Sequence, residues 1–481
     1  MNIKSHFSLI AIAICLPIIL WGVCGIGPTF DDYTSLQSTW FIQISDPGYM
    51  FPDAYRRPFD FLLGCLVGWM PGLFPTLNHV LIILGHACSA ALVFTICKKL
   101  DFSSVATHIA TLFFFFSPAT LGATLACDGF NQTFAQLWGL LALWFYLSRV
   151  HPRPSGAKTK PWLWLLCVAM AALSKENGLA WAVVPPIVAY AFQLVNRRQA
   201  LRHIGCGLLV AMAYLIVFAT IYLTGIAGIE YDDEYTHATL LSHAKDFVQL
   251  MAYTWLPADY MSIVYPPTRN IAVAAATVLL AVPFLLLLAG KWQLLKTRQL
   301  LLLAVSFLIL VSPHLVTVVS IMHNYAALSM AALIVAFITH HISGKKLLTA
   351  AFALFLAAAV FTDIHHYTAA RRSGVMSRRM AMLAISKADH PLQRIFCISI
   401  DNPDEPRYSN FCVRPVDAFA WGLSVRHYSH YTWKTAISEA KLTHYDSQQV
   451  KALADSALLA GDEAVWVAGD DKEPLIIINR P

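Results

Sequence analysis

About eleven predominantly apolar stretches, most of them near 20 residues long, punctuate the chain at 7–26, 78–97, 103–122, 130–148, 161–174, 177–195, 203–224, 271–290, 299–319, 325–342 and 347–366. A hydrocarbon core about 30 Å thick takes an α-helix of roughly 20 residues, and a water-soluble core has no use for so many such runs. With 57% of its residues hydrophobic and 13% charged, the chain has too little polar surface to dissolve as a globule. The expected fold is an all-α polytopic membrane protein with about 11 transmembrane helices over residues 1–366 and a small C-terminal α+β extracytoplasmic domain over 367–481. The runs at 161–174 and 177–195 are short and read as one broken pair. The first run follows a charged start but has no small-residue cleavage site, so it reads as a retained helix.

The formal net charge of +6 does not form one basic face. Its cations gather in alternate loops: Lys98-Lys99, Arg149 to Lys160, Arg197-Arg198 with Arg202, Lys291 with Lys296 and Arg298, and Lys345-Lys346. Cations are retained on the cytoplasmic side, so this alternation places the N-terminus inside and the segments 27–77, 226–268 and 367–481 outside. It also argues against a nucleic-acid partner and for the lipid bilayer as the principal one.

The polar tail carries strand-like segments at Arg394–Ile400, 464–468 and Leu475–Ile478, and a helix-like one at 447–460. Eight of the ten cysteines lie in or beside apolar runs, where thiols act as small hydrophobes. Cys397 and Cys412 sit in the outer tail, as a pair or as separate thiols.

Chemistry concentrates in the first outer loop, which opens Gly27-Pro-Thr-Phe-Asp31-Asp32-Tyr33. Adjacent carboxylates at a helix exit repel and are costly to desolvate, which raises the pKa of one and suits it to general-base work. The plainer reading is that they end the helix among headgroups or cap the next one. The loop continues through Tyr55-Arg56-Arg57-Pro58 to Asn78-His79, with His86 further along the second run. His79 and His86, seven residues apart, share one helix face and read as hydrogen-bonded core histidines or as cavity lining.

The order of these elements resembles the GT-C superfamily of lipid-phosphosugar glycosyltransferases, especially the membrane part of the protein O-mannosyltransferases. Ser117-Pro118 followed by Asp128-Gly-Phe-Asn131 stands where that family has its second outer loop. Ser174-Lys175-Glu176 matches its Ser-Lys-Glu element, and His323-Asn324-Tyr325 is a weaker form of its Arg-Tyr element. No tetratricopeptide array follows the last apolar run. The compact build with a small outer domain is closer to bacterial O-antigen and lipopolysaccharide-modifying glucosyltransferases.

The resemblance implies an inverting transfer of a sugar from a polyprenyl-phosphate donor to a hydroxyl of a glycan, glycolipid or protein acceptor, on the outer face of a bacterial cytoplasmic (inner) membrane, with no cofactor and no metal. A polyprenyl phosphate leaves as a stable anion and wants cations rather than a second acid, unlike the leaving group of a glycosidase. Asp31 or Asp32 is then the base, Asp31 favoured, with the other orienting sugar or acceptor. Lys175, Arg57 and Arg56 are the phosphate ligands, and Glu176, Tyr55, His79, His86, Asp128 and Tyr325 support them. Each has a plainer alternative: an ion pair with Glu176 for Lys175, and a grip on membrane lipid for the arginines.

The acidic run Tyr231–Tyr235 reads as a solvated loop or a cation or sugar site. The aromatic-rich 240–263 reads as a surface helix roofing the site. Arg371-Arg372 and Arg378-Arg379, outside against the charge rule, bind acidic lipid or anchor to headgroups. No Gly-rich phosphate loop, metal-ligand Cys/His spacing or Gly-x-Ser-x-Gly element is present. The rivals are a lipid-linked sugar transporter or flippase, which commonly shows related halves absent here, and an O-antigen ligase or polymerase, which would rely on basic residues rather than on Asp31 and Asp32.

Overall fold

The structure, a computed structural model, describes residues 5–28, 30–33, 58, 75–151, 160–223, 240–255, 292–315, 321–342, 344–400, 418–430, 432–442, 444–467 and 475–478. The helices are α1 (Phe7–Val23), α2 (Thr76–Lys99), α3 (Ser104–Phe116), α4 (Phe130–Val150), α5 (Leu163–Ser174), α6 (Val184–Ala191), α7 (Arg197–Leu223), α8 (Leu240–Trp255), α9 (Arg298–Val311), α10 (Tyr325–His341) and α11 (Lys345–Lys387).

Ser117 and Pro118 end α3, because a residue before proline leaves the helical region. The Ser117 side chain then caps a short turn, accepting the Ala119 N–H at 3.3 Å, and the helical path resumes over Pro118–Thr124, bent by 44° from α3.

Among the described residues five helices are long and apolar enough to cross a membrane, or six if this bent pair counts as one span. That is fewer than the eleven expected. The runs at 7–26, 161–174 and 177–195 form helices of only 17, 12 and 8 residues. In α4 the length suffices, but Asn131, Gln132, Thr133 and Gln136 make its first two turns polar. The run at 271–290 lies outside the described residues.

At the centre stands α10, where every residue from Tyr325 to Thr339 is buried. Small side chains (Ala326, Ala327, Ser329, Ala331, Ala332, Ala336) let α2, α3, α4 and α9 close on it, as they do wherever helices pack within lipid. On the periphery, α7 leaves Leu209 and Ile216 exposed, as a lipid-facing helix would.

The last helix does not stop near residue 366. It runs on for 43 residues, about 64 Å at 1.5 Å per residue, and so exceeds the membrane by half its length. Its far end packs on a four-stranded sheet of order β2-β1-β3-β4, built from β1 (Arg394–Ile400), β2 (Ala436–Leu442), β3 (Ala464–Val467) and β4 (Leu475–Ile478). β1 runs parallel to β2 and β3, and β3 antiparallel to β4. Strand alternation sends Ile395 and Cys397 of β1 towards Met380, Ala381 and Ala384 of α11. Ile398 goes the other way, to Val450, Ala454 and Ala457 of a helix at Ser447–Leu459. Cys397 is a buried free thiol; Cys412 lies outside the described residues.

Candidate functional site

Phe30–Tyr33 form a single 3-10 turn beyond α1. In it Asp32 is 3% exposed, and its Oδ1 accepts the backbone N–H of Cys127 at 2.6 Å. A short charge-assisted bond of this kind holds a carboxylate firmly. Cys127 opens a second 3-10 turn, Cys127–Gly129, so the turn after α1 and the turn before α4 meet at this contact. The second turn folds flat onto Pro118–Thr124 because Gly129 lacks a side chain, and a Cβ there would lie 1.9 Å from the Ala123 carbonyl oxygen. Below the contact, Cys127 Sγ is 3.5 Å from Nε2 of the fully buried His79, at the start of α2.

Tyr33 points away from this corner into the C-terminal domain. Its hydroxyl is 2.9 Å from Ser377 Oγ on α11, and Ser377 in turn donates to the Ala418 carbonyl at 2.6 Å. The same phenol also hydrogen-bonds the Tyr428 side chain, so it links Ser377 to Tyr428. Burial holds the Tyr33 phenol well above its ordinary pKa, which keeps its proton in place. The Tyr33 ring packs against His427, centroids 5.7 Å apart, and against Tyr428 at 6.3 Å. Burial and the neighbouring His430 push His427 down to about 4.

Deeper in the helices, His86 Nε2 faces the Phe115 carbonyl at 3.0 Å and therefore donates to it. Nδ1 is left to accept from the Tyr325 hydroxyl at 2.8 Å. His86 is thus buried and hydrogen-bonded on both ring nitrogens, its tautomer fixed by the Phe115 carbonyl, and it also borders a cavity between α1 and α11.

The Ser-Lys-Glu element falls at the interruption between α5 and α6. Lys175 is extended, with φ −156° and ψ 145°, and leads into a 3-10 segment at Glu176–Ala182. Its Nζ donates to Asn131 Oδ1 at 3.3 Å. Asn177 Nδ2 reaches both Gln132 Oε1 at 3.1 Å and His314 Nε2 at 2.9 Å. His314 stacks on His323 with centroids 4.4 Å apart, and Lys175 acts electrostatically on both rings.

Around this network several buried amides have no hydrogen-bond partner among the described residues: both side-chain polar atoms of Asn78, Gln136 and Asn324, together with Gln132 Nε2 and Asn177 Oδ1. Native interiors rarely leave such groups dry.

Asp31 and Asp128 lie on the two 3-10 turns. Tyr55, Arg56, Arg57 and the acidic run 231–235 lie outside the described residues. The structure therefore joins Asp32 to the turn before α4 and to His79, and joins Lys175 to the start of α4. Cys127 and His314 carried no sequence signal beyond being polar or polarisable breaks in apolar runs. Among the described residues no three His, Cys, Asp or Glu side chains are grouped to hold a metal ion.

No family model, curated protein or solved structure matches the chain. Its several apolar helices are long enough to cross a membrane and are consistent with a membrane protein.

Proposed function

We propose that the chain is an inverting glycosyltransferase that moves a sugar from a polyprenyl-phosphate carrier to a hydroxyl of a cell-envelope glycan, lipopolysaccharide or protein, on the outer face of a bacterial cytoplasmic membrane. The observation that carries the reading is the Asp32–Cys127 contact. It fixes the acidic turn against the turn before α4 and beside His79, at the edge of a helix bundle that carries several buried amides.

In this reading Asp32 pins the turn and orients substrate, while Asp31 accepts the proton of the incoming hydroxyl. The acceptor oxygen attacks the anomeric carbon in line, and a new C–O bond forms with inversion. The old bond to the phosphate oxygen breaks, its electron pair leaving with the polyprenyl phosphate. Lys175, helped by Arg56 and Arg57, neutralises the departing phosphate. Glu176, Tyr55, Asp128 and Tyr325 support this arrangement, the last by ordering His86.

A second reading is favoured by one feature. The interruption at Lys175-Glu176 between α5 and α6 is a discontinuous helix of the kind that lines transporter sites, so a lipid-linked sugar transporter is the alternative. An O-antigen ligase or polymerase would not need the acidic turn.

Sugar transfer by the purified protein from a panel of polyprenyl-phosphate sugars to cell-envelope acceptors separates these. Glycosyl transfer requires donor consumption by the wild type and its loss in Asp31→Asn or Asp32→Asn variants that stay folded. Full activity in both variants, or donor moved across a bilayer without being consumed, rejects it.

A further inference from the structure

Asp363 has no part in the mechanism above, yet it is a carboxyl near the end of the apolar stretch of α11. Its Oδ1 is shielded from solvent and has no hydrogen-bond partner among the described residues. It lines a cavity of about 410 Å³ between α1 and α11 whose walls are almost entirely hydrocarbon, among them Ile18, Ile19, Ile83, Phe115 and Val360. The volume falls in the range that holds small organic ligands.

The cavity is a slot open sideways. Ile18, Trp21 and Ile364 on its rim are 69%, 78% and 61% exposed, and in a bilayer that rim faces lipid. Beyond its outer end α11 meets the chain leaving α1: a Cβ on Gly374 would come within 2.6 Å of the Gly27 nitrogen, so the two backbones touch there. Tyr367, one turn beyond Asp363, packs beside Gly22 and completes the polar end.

Asp363 is 18 residues from Lys345, about 27 Å along the helix. With Lys345 inside, as the charge pattern places it, the carboxyl stands near the outer edge of a core about 30 Å thick. The slot runs inward from there along α1 to Cys15.

A carboxyl with one buried oxygen left unpartnered among hydrocarbon is costly and marks a functional site by default. The complementary occupant has a hydrocarbon chain for the slot and a hydrogen-bond donor for Asp363 at headgroup depth. A phosphocholine lipid has the chain but no donor. We propose that this slot binds a glycolipid of the outer leaflet, its chain lying between α1 and α11 and a sugar hydroxyl donating to Asp363. The site is distinct from the Asp32 turn but adjacent to it, since its wall at Thr120, Leu121 and Thr124 leads within three residues to Cys127. Binding here stands or falls independently of glycosyl transfer.

The test is photolabelling of the full chain in phosphatidylcholine nanodiscs, using two probes with the same diazirine-bearing chain: a glucosyl diacylglycerol and a phosphatidylcholine. The glucosyl probe is expected to label 15–22 and 360–368 roughly tenfold more than the choline probe, the preference that one buried hydrogen bond confers. Asp363→Ala should remove that preference. Ile18→Trp, a change at a lipid-facing position that fills the slot without touching the core, should remove labelling by both probes. Equal labelling of the wild type by the two probes overturns the proposal, as does a preference that survives Asp363→Ala. If Asp363→Ala does not fold, the wild-type comparison and Ile18→Trp decide.

Discussion

The Tyr33 hydroxyl and Ser377 Oγ, separated by 344 residues in sequence, stand 2.9 Å apart in a buried hydrogen bond. Through it the turn after α1, the long helix α11 and the segment that begins at Ala418 meet at one point, since Ser377 donates a hydrogen bond to the Ala418 carbonyl. Tyr33 is the direct chain neighbour of Asp32, so that segment helps to set the position of the acidic turn.

Tyr33→Phe keeps the ring contacts with His427 and Tyr428 but removes the hydroxyl that hydrogen-bonds both Ser377 and Tyr428. The expected loss is about 1–2 kcal/mol of stability, read as a lowered thermal midpoint of the purified protein. Ser377→Ala removes the partner of Tyr33 and the donor for Ala418 together, and should cost more. The double variant should fall short of the sum, because both act on one chain of bonds. Additive losses would mean that the two side chains stabilise separate features.

His427 gives the fold a pH dependence whose sign follows from its burial. Its folded pKa lies at about 4 against 6.5 for the free side chain, so the unfolded chain binds the proton more readily. The contribution of the neutral ring is whole above pH 6.5 and declines as pH falls towards 4. Thermal midpoints measured across that window should drop more steeply for the wild type than for His427→Gln, with the two curves parallel above pH 7. Parallel curves throughout would show that His427 takes up its proton as readily in the folded chain as in the unfolded one.

The helical body and the strands of the tail were legible because both rest on local periodicity. The strands Arg394–Ile400 and Leu475–Ile478 are rich in isoleucine, and the structure forms them there. β2 escaped notice because Ala436–Leu442 mixes Ser438, Glu439 and Lys441 among its apolar residues, as an edge strand can. The far end of α11 was also hidden. Its outer half, with Arg371, Arg372, Arg378 and Arg379, reads as a polar tail, and it is helical because Met380, Ala381 and Ala384 find a partner in the sheet. At the candidate site the acidic pair and the lysine stood out as charges among apolar residues. Their partners Cys127, Asn131 and His314 did not, because what distinguishes them is a neighbour distant in sequence.

Gly129 should be the least replaceable glycine near the acidic turn. Gly129→Ala forces a Cβ into the Ala123 carbonyl, so either the turn or Pro118–Thr124 must shift, and the Cys127 amide moves off Asp32. A loss of more than about 2 kcal/mol is expected, in the range of strained backbone and broken buried bonds. Gly205 in α7 is the control, because nothing lies within 4 Å of a Cβ there. Gly205→Ala should stabilise the helix by about 0.5–1 kcal/mol. Equal midpoints for the two variants would dissociate the turn from the stability of the fold.

Lys175 distinguishes a phosphate ligand from a structural cation. Its Nζ donates to Asn131 at the interruption between α5 and α6, a bond that Lys175→Met removes while keeping the length of the side chain. A purely structural lysine predicts a lower thermal midpoint with unchanged affinity for polyprenyl phosphate, read by native mass spectrometry. A phosphate ligand predicts affinity weakened by roughly ten- to a hundredfold, the worth of a hydrogen bond between charged groups, with partial recovery in Lys175→Arg. Asn131→Ala sharpens the distinction, since it removes the structural partner and leaves the charge. If Lys175 binds phosphate, Asn131→Ala retains most of the affinity; if the lysine only ties α4 to the break, Asn131→Ala and Lys175→Met destabilise alike and neither changes lipid binding.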